Sequence, residues 1–316
     1  MEVENPHFSH SETNSLHQLA TKSLTNKYET MKIIINFIFL SLVLTFVGYT
    51  QNNELNISRT IFEDFPDSIP RIFAKGIISI SDRYEYGLAI SPNYDEIFFT
   101  AEEPGEGLMV MRKLTDGTWS TPEVANLRGN NSWEFEAFYT PDGKKLYFSS
   151  IVNDTTRLWH SSKEKGGWSA PMLLDSPVND TRVFWATFTN TNTMYYSNLR
   201  VFKIYKSQFE DNQYKVTENA GIPFGIHPSV SKDESFILFN FKGDIYVAFK
   251  NKENKWAKPI KLGELINTSE YGETCPSLSP DEKFIFFSRY NDLNEKSDIY
   301  WVSSIIIEKL RKEIIE

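Results

Sequence analysis

A stretch that the chain writes five times over constrains its fold more than anything else in it. The fullest copy runs from Trp133 to Ser150, WEFEAFYTPDGKKLYFSS, and reads as strand, tight turn, strand. Thr140-Pro141-Asp142-Gly143 suits a type I turn, with Pro second, Asp third and Gly closing it. Apolar residues alternate on either side, Phe135, Ala137 and Tyr139 before the turn, Leu146 and Phe148 after it. The other copies are GLAISPNYDEIFFT from Gly87, ATFTNTNTMYYSN from Ala186, HPSVSKDESFILFN from His227 and CPSLSPDEKFIFFS from Cys275. Their anchors, the Ser or Thr before each turn, are Ser91, Thr140, Thr189, Ser231 and Ser279, spaced 49, 49, 42 and 48 residues apart.

Strands repeating every ~40–50 residues are the signature of propeller blades. A second repeat follows each turn: Trp119-Ser-Thr-Pro122, Trp168-Ser-Ala-Pro171 and Trp256-Ala-Lys-Pro259, with Tyr214-Lys-Val-Thr217 as a degenerate copy. Proline lacks the ladder donor, so this segment reads as the outermost strand of each blade. Between lies a third strand: Leu108 to Lys113, Arg157 to Ser161, Ile204 to Ser207, Asp244 to Phe249 and Asp298 to Ser303. The last unit has no outer strand after Trp301, but Pro70 to Ile78 resembles one. The fold expected is therefore all-β: a single β-propeller of five four-stranded blades, closed by an N-terminal strand that completes the last blade. Closure of that kind leaves no open sheet edge.

The 24 Phe and 15 Tyr suit strands. Residues 1–30 are polar and aperiodic, an extension that is not translated if Met31 is the start. Met31-Lys32 opens the apolar run IIINFIFLSLVLTFVG, so residues 31–50 read as a signal peptide with cleavage near Thr50-Gln51. The run is shorter than the ~20 residues of a membrane span, which favours cleavage over a retained anchor. Residues 51–69 are expected as a linker and 70–316 as the propeller. The address expected is export, to the periplasm or beyond the cell, with the membrane touched only through an uncleaved signal.

Beyond residue 50 the chain carries 30 basic and 38 acidic residues. That balance disfavours nucleic acid as a partner. Cys275 is the single cysteine, so no intrachain disulfide forms; it reads first as a small buried residue of an inner strand. His160 and His227 are the histidines beyond residue 50, and neither has ligand-like spacing to another His or Cys. No metal site and no cofactor are expected, Ca²⁺ at clustered carboxylates being the one exception considered.

The blade pattern resembles the repeats of the TolB-like, WD-type β-propeller family: an apolar residue, Ser-Pro-Asp-Gly, Lys, apolar, aromatic, Phe, Ser or Thr. Tyr139 to Ser149 carries that pattern throughout; Leu278 to Ser288 departs from it at Glu282, and the unit around Thr189 has lost Pro, Asp and Gly. Such repeats occur in periplasmic envelope proteins, in secreted proteins and in propeller domains of serine peptidases. The last need a G-x-S-x-G elbow, which this sequence lacks. The separate N-terminal domain of TolB also has no counterpart here, so the resemblance implies the fold more than a TolB role.

Candidate functional residues follow from the repeat. Six residues before the anchors stand Glu85, Glu134, Val183, Gly225 and Glu273; four before them stand Gly87, Glu136, Trp185, His227 and Cys275. Residues two apart on a strand share a face, so both sets are expected to point into one central funnel. Tyr86, Trp133, Phe135, Phe184, Phe224 and Tyr271 add aromatic character to its rim. The candidates are thus Glu85, Glu134, Glu136 and Glu273, with Trp133, Trp185, His227 and Tyr271 beside them. One reading is a ligand site of carboxylates and aromatic platforms; the other is that a recurring Glu bonds neighbouring amides and locks blade to blade. The function expected is a monomeric binding module of the envelope, holding a protein, a peptide or a small ligand such as a saccharide. The alternative is a glycosidase-like propeller using two funnel carboxylates, whose spacing would set the stereochemistry.

Overall fold

The computed structural model describes residues 61–315, apart from 104–106, 130–131, 212 and 292–295. The expected extension and signal peptide, and the linker as far as residue 60, lie outside the described residues. Five antiparallel sheets make five blades. From the inside outwards the first holds Glu85–Ile90, Glu96–Ala101, Leu108–Arg112 and Glu123–Val124. The second holds Glu134–Tyr139, Lys145–Val152, Thr155–Glu164 and Met172–Leu173, with the short strand Gly167–Trp168 also paired to Thr155–Glu164. Val183–Phe188, Thr193–Asn198, Lys203–Glu210 and Gln213–Asn219 make the third; Ile226–Val230, Phe236–Phe241, Asp244–Phe249 and Ile260–Lys261 make the fourth. The fifth is Gly272–Leu278, Phe284–Asn291 and Lys296–Ser303, completed by Arg71–Ile72 from the start of the propeller. Ring closure is therefore as the sequence leads one to expect, with Arg71 opposite Trp301 and Ile72 opposite Tyr300.

The repeated turn has a hydrogen-bond reason. Each anchor hydroxyl accepts the N–H that opens the second strand: Glu96 N to Ser91 at 2.9 Å, Lys145 N to Thr140 at 3.0 Å, Phe236 N to Ser231 at 3.1 Å and Phe284 N to Ser279 at 3.0 Å. It donates in turn to the turn aspartate, Asp142, Asp233 or Asp281, at 2.7–2.8 Å. In the third blade Thr191 takes the place of that aspartate, 2.9 Å from Thr189.

Proline shapes the outer strands. Trp119 and Trp256 make isolated bridges to Lys113 and Lys250, and the ladder resumes after Pro122 and Pro259 as two-residue strands. The third blade has no proline there, and its outer strand runs unbroken for seven residues. Ile61 is buried, and Phe62 and Phe65 lie against Phe73, Tyr94, Phe284 and Trp301, so the described end of the expected linker packs on the propeller. The closing helix, Ile305–Ile315, buries Ile307 in a core cluster that includes Phe249 and Leu262, and Arg311 lies over the Phe249 ring, so the helix sits across blades four and five. Among the described residues no helix is long and apolar enough to cross a membrane.

Candidate functional site

The residues six before the anchors do not face a funnel. Glu134 is buried and accepts the N–H groups of Leu127 (2.8 Å) and Arg128 (2.5 Å) and the Ser132 hydroxyl (3.0 Å). Glu273 accepts the Thr268 hydroxyl at 2.8 Å and Arg289 Nε at 2.9 Å. Glu85 accepts Arg83 Nε at 2.9 Å and Ile80 N at 3.2 Å; burial, against the pull of Arg83, pushes its carboxyl up to about 8. Each of the three thus holds the loop that leads into its own blade, which is the locking role weighed above. Trp133 is half-buried against a core cluster that includes Phe135, Phe184 and Trp185, with its carbonyl accepting the Ser150 hydroxyl at 2.6 Å. Tyr271 stands apart from the axis, 38% exposed over a shallow groove of about 180 Å³ with Arg289, Lys296 and Tyr300.

The residues four before the anchors converge. All five have positive φ: Gly87 at 66°, Glu136 and Trp185 at 54°, His227 and Cys275 at 52°. The ladder to the second strand slips in every blade at this place, so each inner strand carries a β-bulge. The extra residue breaks the period of two. Consequently Phe184 and Thr274, five before their anchors, turn toward the axis alongside these: Phe184 stands 4.8 Å from the His227 ring, and Thr274 Oγ1 lies 3.4 Å from its Nδ1. The freed bulge N–H finds the terminal Ser or Thr of the preceding blade's motif: Glu136 N on Thr100 at 2.9 Å, Trp185 N on Ser149 at 3.2 Å, His227 N on Ser197 at 2.9 Å. Blade one has glycine because a Cβ at Gly87 would sit 3.3 Å from Glu136 Cγ.

At the axis the side chains of Glu136, His227 and Cys275 meet, all buried, with their ligating atoms within 4.8 Å of one another. His227 Nε2 is 3.3 Å from Glu136 Oε1, and its Nδ1–H donates to Asn240 Oδ1 at 2.5 Å. Trp185 covers the imidazole edge-on at 4.7 Å and donates Nε1–H to the Pro228 carbonyl at 2.8 Å. Burial disfavours the imidazolium, but Cys275 and Glu136 beside it outweigh burial and raise His227 above its ordinary value. Burial raises the Cys275 thiol and the Glu136 carboxyl, with His227 opposing in both.

One level further along the inner strands lie Ala89, Phe138, Thr187, Ser229 and Ser277. They wall an axial cavity of about 90 Å³ that opens on the face of the anchor turns, beside Pro92, Pro141 and Pro280. All five blades contribute to it.

No family model and no curated protein matches the chain. Solved structures do. A protein assigned as TolB from Agrobacterium tumefaciens is 17% identical with a TM-score of 0.44, over 72% of this chain and 79% of that one. TolB from Acinetobacter baumannii is 15% identical with a TM-score of 0.45, over 72% and 56%. This chain is similar in fold to TolB. An engineered GH43 glycoside hydrolase with endo-xylanase and exo-arabinofuranosidase activity is 11% identical with a TM-score of 0.48, over 74% and 51%. The chain thus spans about half the length of the last two proteins, and at these identities the likeness is one of fold alone.

Of the residues singled out from the sequence, Glu136, Trp185 and His227 form the central group, and Glu85, Glu134 and Glu273 serve loops. Cys275 belongs to the central group although spacing along the chain gave it no metal partner, because the inner strands of blades two, four and five come together there. Its recurrence at the position of Glu136 and His227 was the available signal. Chemically, a buried thiol held protonated is a poor nucleophile, while Cys, His and Glu together are ligands of the zinc kind.

Proposed function

We propose that the chain is an exported propeller that works as a protein-binding module of the periplasm or envelope, taking an apolar side chain of a partner peptide at its axial mouth. The observation that carries this is the axial cavity on the turn face, with Leu88, Phe138, Phe188, Val230 and Leu278 in its wall. At about 90 Å³ it is smaller than the ~150 Å³ cavity that accepts benzene. It suits the end of a side chain better than a sugar ring. Glycoside cleavage asks for two carboxylates facing one open space; Glu85, Glu134 and Glu273 instead face the amides of their own loops. The apolar run after Met31-Lys32 supports export.

The test compares the full wild-type chain with Ala89→Leu, which fills the mouth, and Leu173→Arg, an exposed outer-strand control. Fractionation should place the wild type outside the cytoplasm. An envelope protein captured by it should bind Ala89→Leu at least tenfold more weakly and Leu173→Arg unchanged. Retention in the cytoplasm, or equal capture by Ala89→Leu, overturns the reading. Turnover of a polysaccharide by the wild-type chain would put the glycosidase reading in its place.

A further inference from the structure

We propose that Glu136, His227 and Cys275 form a site for one divalent cation of the zinc class, with three protein ligands and a fourth position left for water. The inference concerns the channel waist and is independent of what binds at the mouth. Its first support is geometric. Two ligands about 2.0 Å from a tetrahedral ion lie about 3.3 Å apart, and His227 Nε2 and Glu136 Oε1 are 3.3 Å apart. The three ligating atoms lie within 4.8 Å of one another, so a movement of about 1 Å by the thiol completes the set.

The second support is an orphan. Glu136 is 3% exposed, and its Oε2 is buried with no hydrogen-bond partner. Buried carboxylate oxygens are normally satisfied; Glu85 has a bare oxygen too, but only at Glu136 do an imidazole and a thiol stand beside it, where an ion held by both carboxylate oxygens would satisfy it. The third is orientation. His227 gives its Nδ1–H to the Asn240 carbonyl oxygen, which fixes the ring and aims Nε2 at Glu136, the outer-shell arrangement usual for metal-ligating histidine. The donor set selects the ion. Ca²⁺ takes six to eight oxygens, whereas thiolate and imidazole select zinc-like cations.

Cysteine binds such an ion as thiolate, so its proton leaves to solvent when the cation enters.

The experiment is a titration of the full chain with Co²⁺, followed by displacement with Zn²⁺. The expected result is one equivalent bound, a thiolate-to-cobalt charge-transfer band, and release of at least the thiol proton. Cys275→Ser should lose the band and weaken binding at least tenfold; His227→Gln should weaken it by more. Because Cys275 is the single cysteine, the wild-type spectrum decides even if a variant fails to fold. His7, His10 and His17 are a rival site. They would bind cobalt without a sulfur band and without response to Cys275→Ser. Either that outcome or no stoichiometric uptake overturns the assignment.

Discussion

Glu134 and Glu136 stand two residues apart on one strand and serve different ends. Both oxygens of Glu134 accept hydrogen bonds, two of them from backbone amides of the incoming loop. Glutamine there would set an amide N–H₂ against one of those donors, leaving it buried and unpaired. Glu134→Gln should therefore cost about 1–3 kcal/mol. Glu136 keeps one bond to His227 and one bare oxygen, and its burial already works against the charge. In the metal-free protein Glu136→Gln takes the carboxylate away from the buried ring of His227, so it should cost about 3–5 kcal/mol, more than Glu134→Gln. Urea unfolding of both variants, stripped of metal, measures the contrast; equal losses would refute it. The contrast itself was not legible in the sequence. A left-handed bulge is written openly where glycine occupies it, as at Gly87, and hidden where Glu136, Trp185, His227 and Cys275 occupy it. Strict alternation then misplaces every side chain before the bulge by one face.

The turn elements were far more legible, because each is a local device whose parts lie within five residues. Ser or Thr, Asp and the following amide bond one another in blades two, four and five, and the third blade keeps the geometry with Thr191. Outer strands were legible in position but not in length, since the same prolines that mark them also interrupt them. The turns imply a pH dependence. Slight burial works to raise Asp142, Asp233 and Asp281; hydrogen bonds from Thr140, Ser235 and Ser279 and their neighbours outweigh it and lower all three from 3.8, Asp281 to about 2. A carboxyl lowered on folding stabilises the protein above its unfolded value and loses that contribution as pH falls through the folded one. Melting temperature should therefore drop between pH 3.8 and about 2, the window set by Asp281. The triple variant Asp142→Asn/Asp233→Asn/Asp281→Asn should melt lower at neutral pH and show a flatter profile across that window. An unchanged slope would remove the turns as its source.

At the scale of the propeller, stability rests on closing the ring, and the closure hangs on few residues. Arg71 and Ile72 supply two ladder positions, and Phe73 N–H donates to the Ile299 carbonyl at 2.7 Å. Phe73 is fully buried, edge-on to Phe286 at 5.0 Å and to Trp301 at 5.3 Å, and Ser79 Oγ accepts Ile299 N at 3.0 Å. These contacts join residues more than 200 apart along the chain, so they tie its start to the last blade. Truncation of Phe73 leaves a large cavity in a core shared by both ends of the propeller. Phe73→Ala should cost about 3–5 kcal/mol. It should also bare the Lys296–Ser303 strand as an open edge, so light scattering should rise at denaturant concentrations that leave the wild type monodisperse. Val124→Ala, on the exposed outer strand of the first blade, should cost about 0.5 kcal/mol or less. If the two variants unfold at the same urea midpoint, blade-to-blade packing alone holds the ring, and the N-terminal strand is an ornament on the last blade. If Phe73→Ala lowers the midpoint of the whole transition without splitting it, the propeller is one cooperative unit and the strand is its fastening.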